Sequence, residues 1–190
     1  MPFTALLGAA IHDGTVLQKG KTLLCENNKI VGIKDRKSLP TGCKIEHLDG
    51  GYLAPGFVDL QVNGGGGVMF NDDQTLQTLE VISQAHCRLG TYTFLPTLIT
   101  DTQARSQAAI DAVAMAIEKG VPGIVGIHLE GPHLSIARKG VHEPSLIRSM
   151  SDTDLNMIAD ATQRLPNVML TVAPESVTIP QTHTLAQAGV

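Results

Sequence analysis

The sequence predicts an α/β protein built on a parallel sheet. After about residue 55, strand-like and helix-like segments alternate four times with short joints, which is the signature of βαβ units. Before that point, short apolar runs are separated by turn residues, a pattern typical of small β structure. The length of 190 residues fits one domain or two small ones. It is too short for a small domain plus a (β/α)₈ barrel, which alone takes about 250 residues.

The segment of residues 1–54 is expected to form short strands at 15–17, 21–25 and 29–33, with one more near Ile45 and Leu48. Turn residues such as Asp13-Gly14 separate these runs, so we predict a small antiparallel sheet. The next 136 residues are predicted to contain strands at 57–62, 91–99, 124–130 and 168–173, and helices at about 74–89, 101–119, 152–164 and 180–188.

Composition excludes several classes of protein. The net charge of −4 offers no basic surface for nucleic acid or anionic membranes, and no apolar run is long enough to span a bilayer. The N-terminus lacks the basic leader of a signal peptide. Cys25, Cys43 and Cys87 are widely spaced, so we predict reduced thiols in a cytoplasmic protein.

Polar residues at the strand ends are the candidate site, because ligands gather beyond the carboxyl ends of parallel strands. Glu130 ends an apolar strand and is followed by Gly-Pro, so it suits either a divalent metal or nearby backbone amides. Gln61 and Asn63 share one face of the first strand. Amides are poor zinc ligands, and the pair suits a water, a substrate hydroxyl or ordinary strand-end hydrogen bonding. His142 follows a basic segment and suits substrate contact or an exposed loop.

For several other polar or glycine residues, the sequence favours a structural role over a role in the site. Glu175 follows Pro174 and suits a turn better than a second site carboxylate. Gly64–Gly67 is able to expose backbone N–H groups to an anion, but its spacing favours a tight turn between a strand and a helix. His128 alternates with Glu130 and is expected to be a packed, hydrogen-bonded histidine.

Five segments resemble the N-acetylglucosamine-6-phosphate deacetylases of the amidohydrolase superfamily, in the same order and at similar separations. They are residues 53–72 (LAPGFVDLQVNGGGGVMFND), 93–100 (TFLPTLIT), 126–134 (GIHLEGPHL), 139–144 (KGVHEP) and 170–175 (LTVAPE). The resemblance implies hydrolysis of N-acetylglucosamine 6-phosphate to glucosamine 6-phosphate and acetate. It also implies a fold in which residues 1–54 are part of a small β-sandwich and residues 55–190 are the first four βα units of a (β/α)₈ TIM-type barrel.

The same resemblance implies roles for individual residues. Glu130 matches the metal-ligating glutamate of the family. Gln61 and Asn63 stand where many amidohydrolases carry an H-x-H pair, which implies a single divalent metal, usually Zn²⁺, with Fe²⁺, Co²⁺ or Mn²⁺ as alternatives. Val141 and His142 match a substrate-contacting pair. A small phosphorylated amino sugar is the expected partner, and the full-length protein is expected to be a homodimer.

The resemblance leaves the catalytic machinery incomplete. The family's general acid/base aspartate and two metal-binding histidines would lie beyond Val190, so no catalytic residue is assigned within these 190 residues. We therefore expect a truncated form without activity of its own. Two alternatives are a non-catalytic half-barrel that binds or assembles with a partner, and a different amidohydrolase. The Gln61–Asn63 pair and the segment around Glu130 argue against the second.

Overall fold

The structure is a computed structural model that describes residues 3–190. It divides into two compact units between Pro55 and Gly56, and each unit has a hydrophobic core of its own. Within residues 3–190, the helices are all too short or too polar to cross a membrane.

Over residues 3–55, the first unit contains strands and one 3₁₀ turn. Its strands are β1 (Phe3–Leu7), β2 (Ala10–His12), β3 (Leu17–Gln18), β4 (Thr22–Glu26), β5 (Lys29–Lys34), β6 (Lys44–His47) and β7 (Tyr52–Leu53). They form two sheets, ordered β5-β4-β1-β6 and β3-β2-β7. Asn27 and Asn28 both have positive φ and join β4 to β5 in a two-residue hairpin.

The prediction of a purely antiparallel sheet is wrong, because β1 pairs with β6 and β2 pairs with β7 in parallel. The sequence pattern reveals local hairpins, which are antiparallel. It does not reveal that β6 and β7 return to strands much earlier in the chain.

The second unit alternates strands and helices. Its elements are β8 (Phe57–Val62), β9 (Gly64–Gly65), β10 (Val68–Met69), α1 (Leu76–Arg88), β11 (Thr91–Ile99), α2 (Gln103–Glu118), β12 (Ile127–Glu130), α3 (Asp152–Ala161), β13 (Val168–Thr171) and α4 (Ile179–Ala188). The four main strands form one parallel sheet in the order β8-β11-β12-β13. The α/β class is confirmed, and all four carboxyl ends lie at the same edge of the sheet.

Capping residues and apolar spacing explain the helix positions. The Thr75 and Thr102 hydroxyls accept backbone N–H bonds at the starts of α1 and α2. In α1, Leu79 and Ile82 are fully buried three residues apart, so this face packs into the core. Gly90 follows α1 with a positive φ, as the predicted helix end requires.

Two strands are shorter than predicted. Residues 124–126 lie outside β12, and Ile124 joins the sheet only through a single bridge to Phe94. The ladder with β13 starts where Ile127 faces Val168, so the earlier residues have no partner there. At the other end, β13 stops at Thr171, and the Ala173 N–H pairs instead with the carbonyl of His133.

The glycine run forms a hairpin. Gly64–Gly65 pairs antiparallel with Val68–Met69, and Gly66 and Gly67 turn the chain with φ of +64° and +89°. A Cβ on Gly66 would press against Val81 of α1, so the run allows close packing on that helix. The run is a tight turn, as predicted, but the prediction that it joins a strand to a helix is wrong, because it joins two short strands and α1 begins only at Leu76.

Candidate functional site

A cavity with a volume of about 720 Å³ opens at the carboxyl ends of β12 and β13. Glu130 and Thr171 line it from the strand ends, and Arg138, Val141 and His142 line it from the loop after β12. This is the edge at which the sequence predicts a site. The loop brings His142 beside Glu130, although they are twelve positions apart in the sequence.

Glu130 has one carboxylate oxygen engaged and one available. The Gln61 side-chain amide donates to Glu130 Oε2 at 2.7 Å, which joins the end of β8 to the end of β12. Glu130 Oε1 lies 3.7 Å from His142 Nε2, which is too long for a hydrogen bond. The carboxylate is held from one side, and its other oxygen faces the cavity.

His142 is buried and held by Thr100, the residue that follows β11. The distance from His142 Nδ1 to the Thr100 hydroxyl is 2.8 Å, and the Thr100 backbone N–H donates to the same nitrogen at 3.4 Å. The ring is therefore fixed on its Nδ1 side and presents Nε2 toward Glu130. In the sequence, Thr100 is the last residue of the segment 93–100, and nothing there assigns it a role of its own. Its contact with a residue 42 positions away carries no local signal.

The other predicted contact residues are placed differently. Asn63 follows β8 and is half-buried, and among the described residues its side chain forms no hydrogen bond. Val141 lines the cavity with 87% of its surface exposed. The cavity therefore brings Glu130, Val141 and His142 together, while Gln61 reaches the site through its bond to Glu130.

Two residues with a structural reading behave as expected. His128 is buried between the Leu60 carbonyl on Nδ1 and the Thr171 hydroxyl on Nε2. Burial lowers its pKa, so it remains a neutral packed histidine. Glu175 lies in the 3₁₀ turn Pro174–Ser176, which fits the turn reading, and it is exposed where that turn lines the cavity. A hydrogen bond from Ser135 and the nearby Arg138 lower its pKa.

One side chain of the site has the chemistry of a metal ligand. Glu130 offers a hard oxygen donor, and its free Oε1 is available for a divalent cation. No group of three or more His, Cys, Asp or Glu side chains within residues 3–190 is arranged to hold a metal. Zinc sites normally use three or four protein ligands, so Glu130 alone would not form one.

The sequence matches the amidohydrolase family over residues 52–182, which is more than half of its length. The chain belongs to the amidohydrolase family. It is 50% identical over 162 residues to an N-acetylgalactosamine-6-phosphate deacetylase of Shewanella sp. strain ANA-3, covering 84% of this chain and 41% of the relative. It is 32% identical over 186 residues to the N-acetylglucosamine-6-phosphate deacetylase of Haemophilus influenzae, covering 98% of this chain and 48% of the relative.

Solved structures of this amidohydrolase group have the same fold over nearly the whole chain. The N-acetylglucosamine-6-phosphate deacetylase of Pasteurella multocida matches with a TM-score of 0.91 and 31% identity, covering 99% of this chain and 49% of that one. A Mycobacterium smegmatis deacetylase solved with N-acetyl-D-glucosamine-6-phosphate matches with a TM-score of 0.77 and 26% identity, covering 100% of this chain and 54% of that one. The chain thus spans about half the length of these proteins.

Proposed function

We propose that these residues form the first part of a metal-dependent deacetylase that hydrolyses the N-acetyl amide of N-acetylglucosamine 6-phosphate. The observation that carries the proposal is the meeting of Glu130 and His142 across one cavity at the strand ends. The relatives named as deacetylases support it. In this proposal, residues 55–190 are four of eight βα units of a (β/α)₈ barrel, and residues 1–54 are part of a β-sandwich.

The proposed roles follow from which atoms remain available. Glu130 would hold the metal through Oε1, because Gln61 occupies Oε2. When bound, the metal polarises the amide carbonyl and lowers the pKa of its water. His142 turns Nε2 toward the same space and contacts the substrate there. Val141 supplies an apolar contact on the cavity wall. Asn63, which follows β8 and does not line the cavity, would offer its amide to a substrate hydroxyl.

We expect no turnover from these 190 residues alone. Residues 3–190 contain no cluster that completes a metal site around Glu130. Amide hydrolysis also needs a proton for the leaving amine. The resemblance assigns that task to an aspartate outside the matching segments.

The epimer at C4 of the sugar gives a second candidate substrate. The Shewanella relative is 50% identical and is named for N-acetylgalactosamine 6-phosphate, whereas the Haemophilus relative is 32% identical and is named for the gluco epimer. The galacto epimer is therefore tested in parallel.

The test fuses this chain to the part of the Shewanella relative that follows the matched region, and measures acetate release from both epimers with and without Zn²⁺. We expect zinc-dependent release that disappears in Glu130→Ala, together with tight zinc binding measured by elemental analysis. Circular dichroism and gel filtration establish that each fusion is folded. A folded, zinc-loaded fusion that hydrolyses neither epimer would contradict the proposal.

The cellular setting is part of the same proposal. Cys25, Cys43 and Cys87 are all free thiols in the structure, which agrees with a reducing cytoplasm. By resemblance we propose a homodimer for the full-length protein, which sedimentation would measure directly.

A further inference from the structure

The hydrogen bonds around His142 determine which ring nitrogen carries its proton. A backbone N–H is only a donor, and the Thr100 N–H points at His142 Nδ1 from 3.4 Å, a long contact that favours an unprotonated Nδ1. In that form the Thr100 hydroxyl, 2.8 Å from the same nitrogen, donates to it as well. With Nδ1 occupied as an acceptor, the single proton of the neutral imidazole lies on Nε2.

The position of Nε2 makes this tautomer important for the site. Nε2 lies 3.7 Å from Glu130 Oε1, and none of the described residues accepts a hydrogen bond from it. In the Nε2–H form, the cavity contains a carboxylate oxygen beside a free N–H donor. In the Nδ1–H tautomer, the lone pair of Nε2 would face Glu130 instead. His142 would then be able to bind a metal through Nε2 but not to donate a hydrogen bond from it.

Gly131 leaves room for the Thr100 hydroxyl. A Cβ on Gly131 would overlap the Thr100 hydroxyl oxygen, so the absence of a side chain leaves room for it. Gly131 directly follows Glu130 and has a φ of +95°. The same short segment therefore supplies the carboxylate and the space in which the hydroxyl orients the histidine.

We propose that Thr100 is a positioning residue that locks His142 in the Nε2–H tautomer, so that the cavity presents a fixed hydrogen-bond donor beside Glu130. The acceptor it suits is a neutral oxygen such as an amide carbonyl. This assignment of the acceptor rests on the proposed deacetylase function, whereas the tautomer itself does not.

The test measures the ¹⁵N chemical shifts of the imidazole nitrogens in the 190-residue chain, labelled at histidine. His142→Gln assigns the signals among the seven histidines. We expect His142 to show one tautomer, protonated at Nε2. Thr100→Val is nearly isosteric and removes the hydroxyl, so the ratio of the Nε2–H to the Nδ1–H form should fall about fivefold to tenfold, as expected for loss of one hydrogen bond. Thr100→Ser retains the hydroxyl and should restore the original shifts.

The outcomes separate this inference from the proposed function. A wild-type ring protonated at Nδ1, or a folded Thr100→Val chain with unchanged His142 shifts, would overturn the positioning role. If Thr100→Val fails to fold by circular dichroism, Thr100→Ala, which also removes the hydroxyl, takes its place in the comparison, and a wild-type ring protonated at Nδ1 still overturns the inference. The measurement needs no turnover, so an inactive fusion with the expected shifts would contradict only the deacetylase proposal.

Discussion

Two polar clusters flank the loop after β12, and they differ in how completely their hydrogen-bonding groups are used. Around Asp154, at the start of α3, one carboxylate oxygen accepts from Arg148 at 2.8 Å and the other accepts from the backbone and hydroxyl of Ser151. Around Glu130, one oxygen accepts from Gln61, while the other faces His142 Nε2 without a hydrogen bond. In the cluster around Asp154, the closed cluster, both carboxylate oxygens are used by hydrogen bonds within the protein. In the site around Glu130, the open site, one carboxylate oxygen remains available to a ligand.

The difference extends to the energetics. Burial alone raises the pKa of Asp154, but the hydrogen bonds from Arg148 and Ser151 outweigh it and lower the pKa overall. The closed cluster therefore favours the charged form and stabilises the fold. At the open site, Glu130 Oε1 has no hydrogen bond within residues 3–190 and therefore adds little to the free energy of unfolding. Such unsatisfied groups are common where a protein gives up stability for function.

The largest expected effect is on the closed cluster. Asp154→Ala removes the half of the α3 capping box in which the Asp154 carboxylate accepts from the Ser151 backbone N–H, and it leaves Arg148 without its partner. We expect a loss of about 3 kcal/mol in the free energy of unfolding, measured by urea denaturation. Asp154→Asn retains an acceptor for Ser151 and should lose less. Equal losses in the two variants would mean that the ion pair, and not the cap, dominates.

The next effect concerns His133, which is fully buried and lies between Glu130 and Asp154 in the sequence. Its Nδ1 lies 3.1 Å from the Arg148 carbonyl, and its Nε2 is buried without a partner among the described residues. Burial lowers its pKa below the ordinary value of 6.5. Between the lowered pKa and 6.5 the unfolded chain therefore binds more protons than the folded chain, so stability falls as the pH drops below 6.5.

We expect His133→Phe to flatten this acid limb of the stability curve by up to about 1.4 kcal/mol per pH unit, measured by urea denaturation from pH 7.5 to 4.5. His128 also has a pKa lowered by burial and is present in both proteins, so the difference isolates His133. Parallel curves for the two proteins would show that His133 does not contribute to this limb.

A smaller effect of opposite sign is expected at the open site. Glu130→Gln retains an acceptor for Gln61 and removes a half-buried charge that has no cationic partner within hydrogen-bonding distance among residues 3–190. We expect the free energy of unfolding in metal-free buffer to be unchanged or to rise by up to about 1 kcal/mol. A loss as large as that of Asp154→Ala would show that Glu130 is a structural residue. That outcome would agree with the alternative from the sequence, in which Glu130 bonds nearby backbone amides and does not bind a metal.

The sequence was informative wherever a residue and its partner are close along the chain. Apolar spacing and caps such as Thr102 locate the helices, and the approach of β8 and β11 residues to one sheet edge follows from parallel pairing. The residue types at Glu130 and His142 were also recognisable. Their relative geometry was not, because it depends on the path of the loop after β12. The pairing of β1 with β6 and the contact of Thr100 with His142 are likewise set by tertiary packing.

The smallest expected effect separates distance from burial as the source of stability. Arg164 donates to Asp111 at 2.6 Å, a shorter contact than that between Arg148 and Asp154, but about half of each side chain is exposed. Water and salt screen this pair, and ordering two mobile side chains offsets the attraction. Arg164→Ala should therefore change the free energy of unfolding by less than about 0.5 kcal/mol, and 0.5 M NaCl should remove what remains. A loss near that of Asp154→Ala would mean that distance, and not burial, makes the closed cluster stabilising.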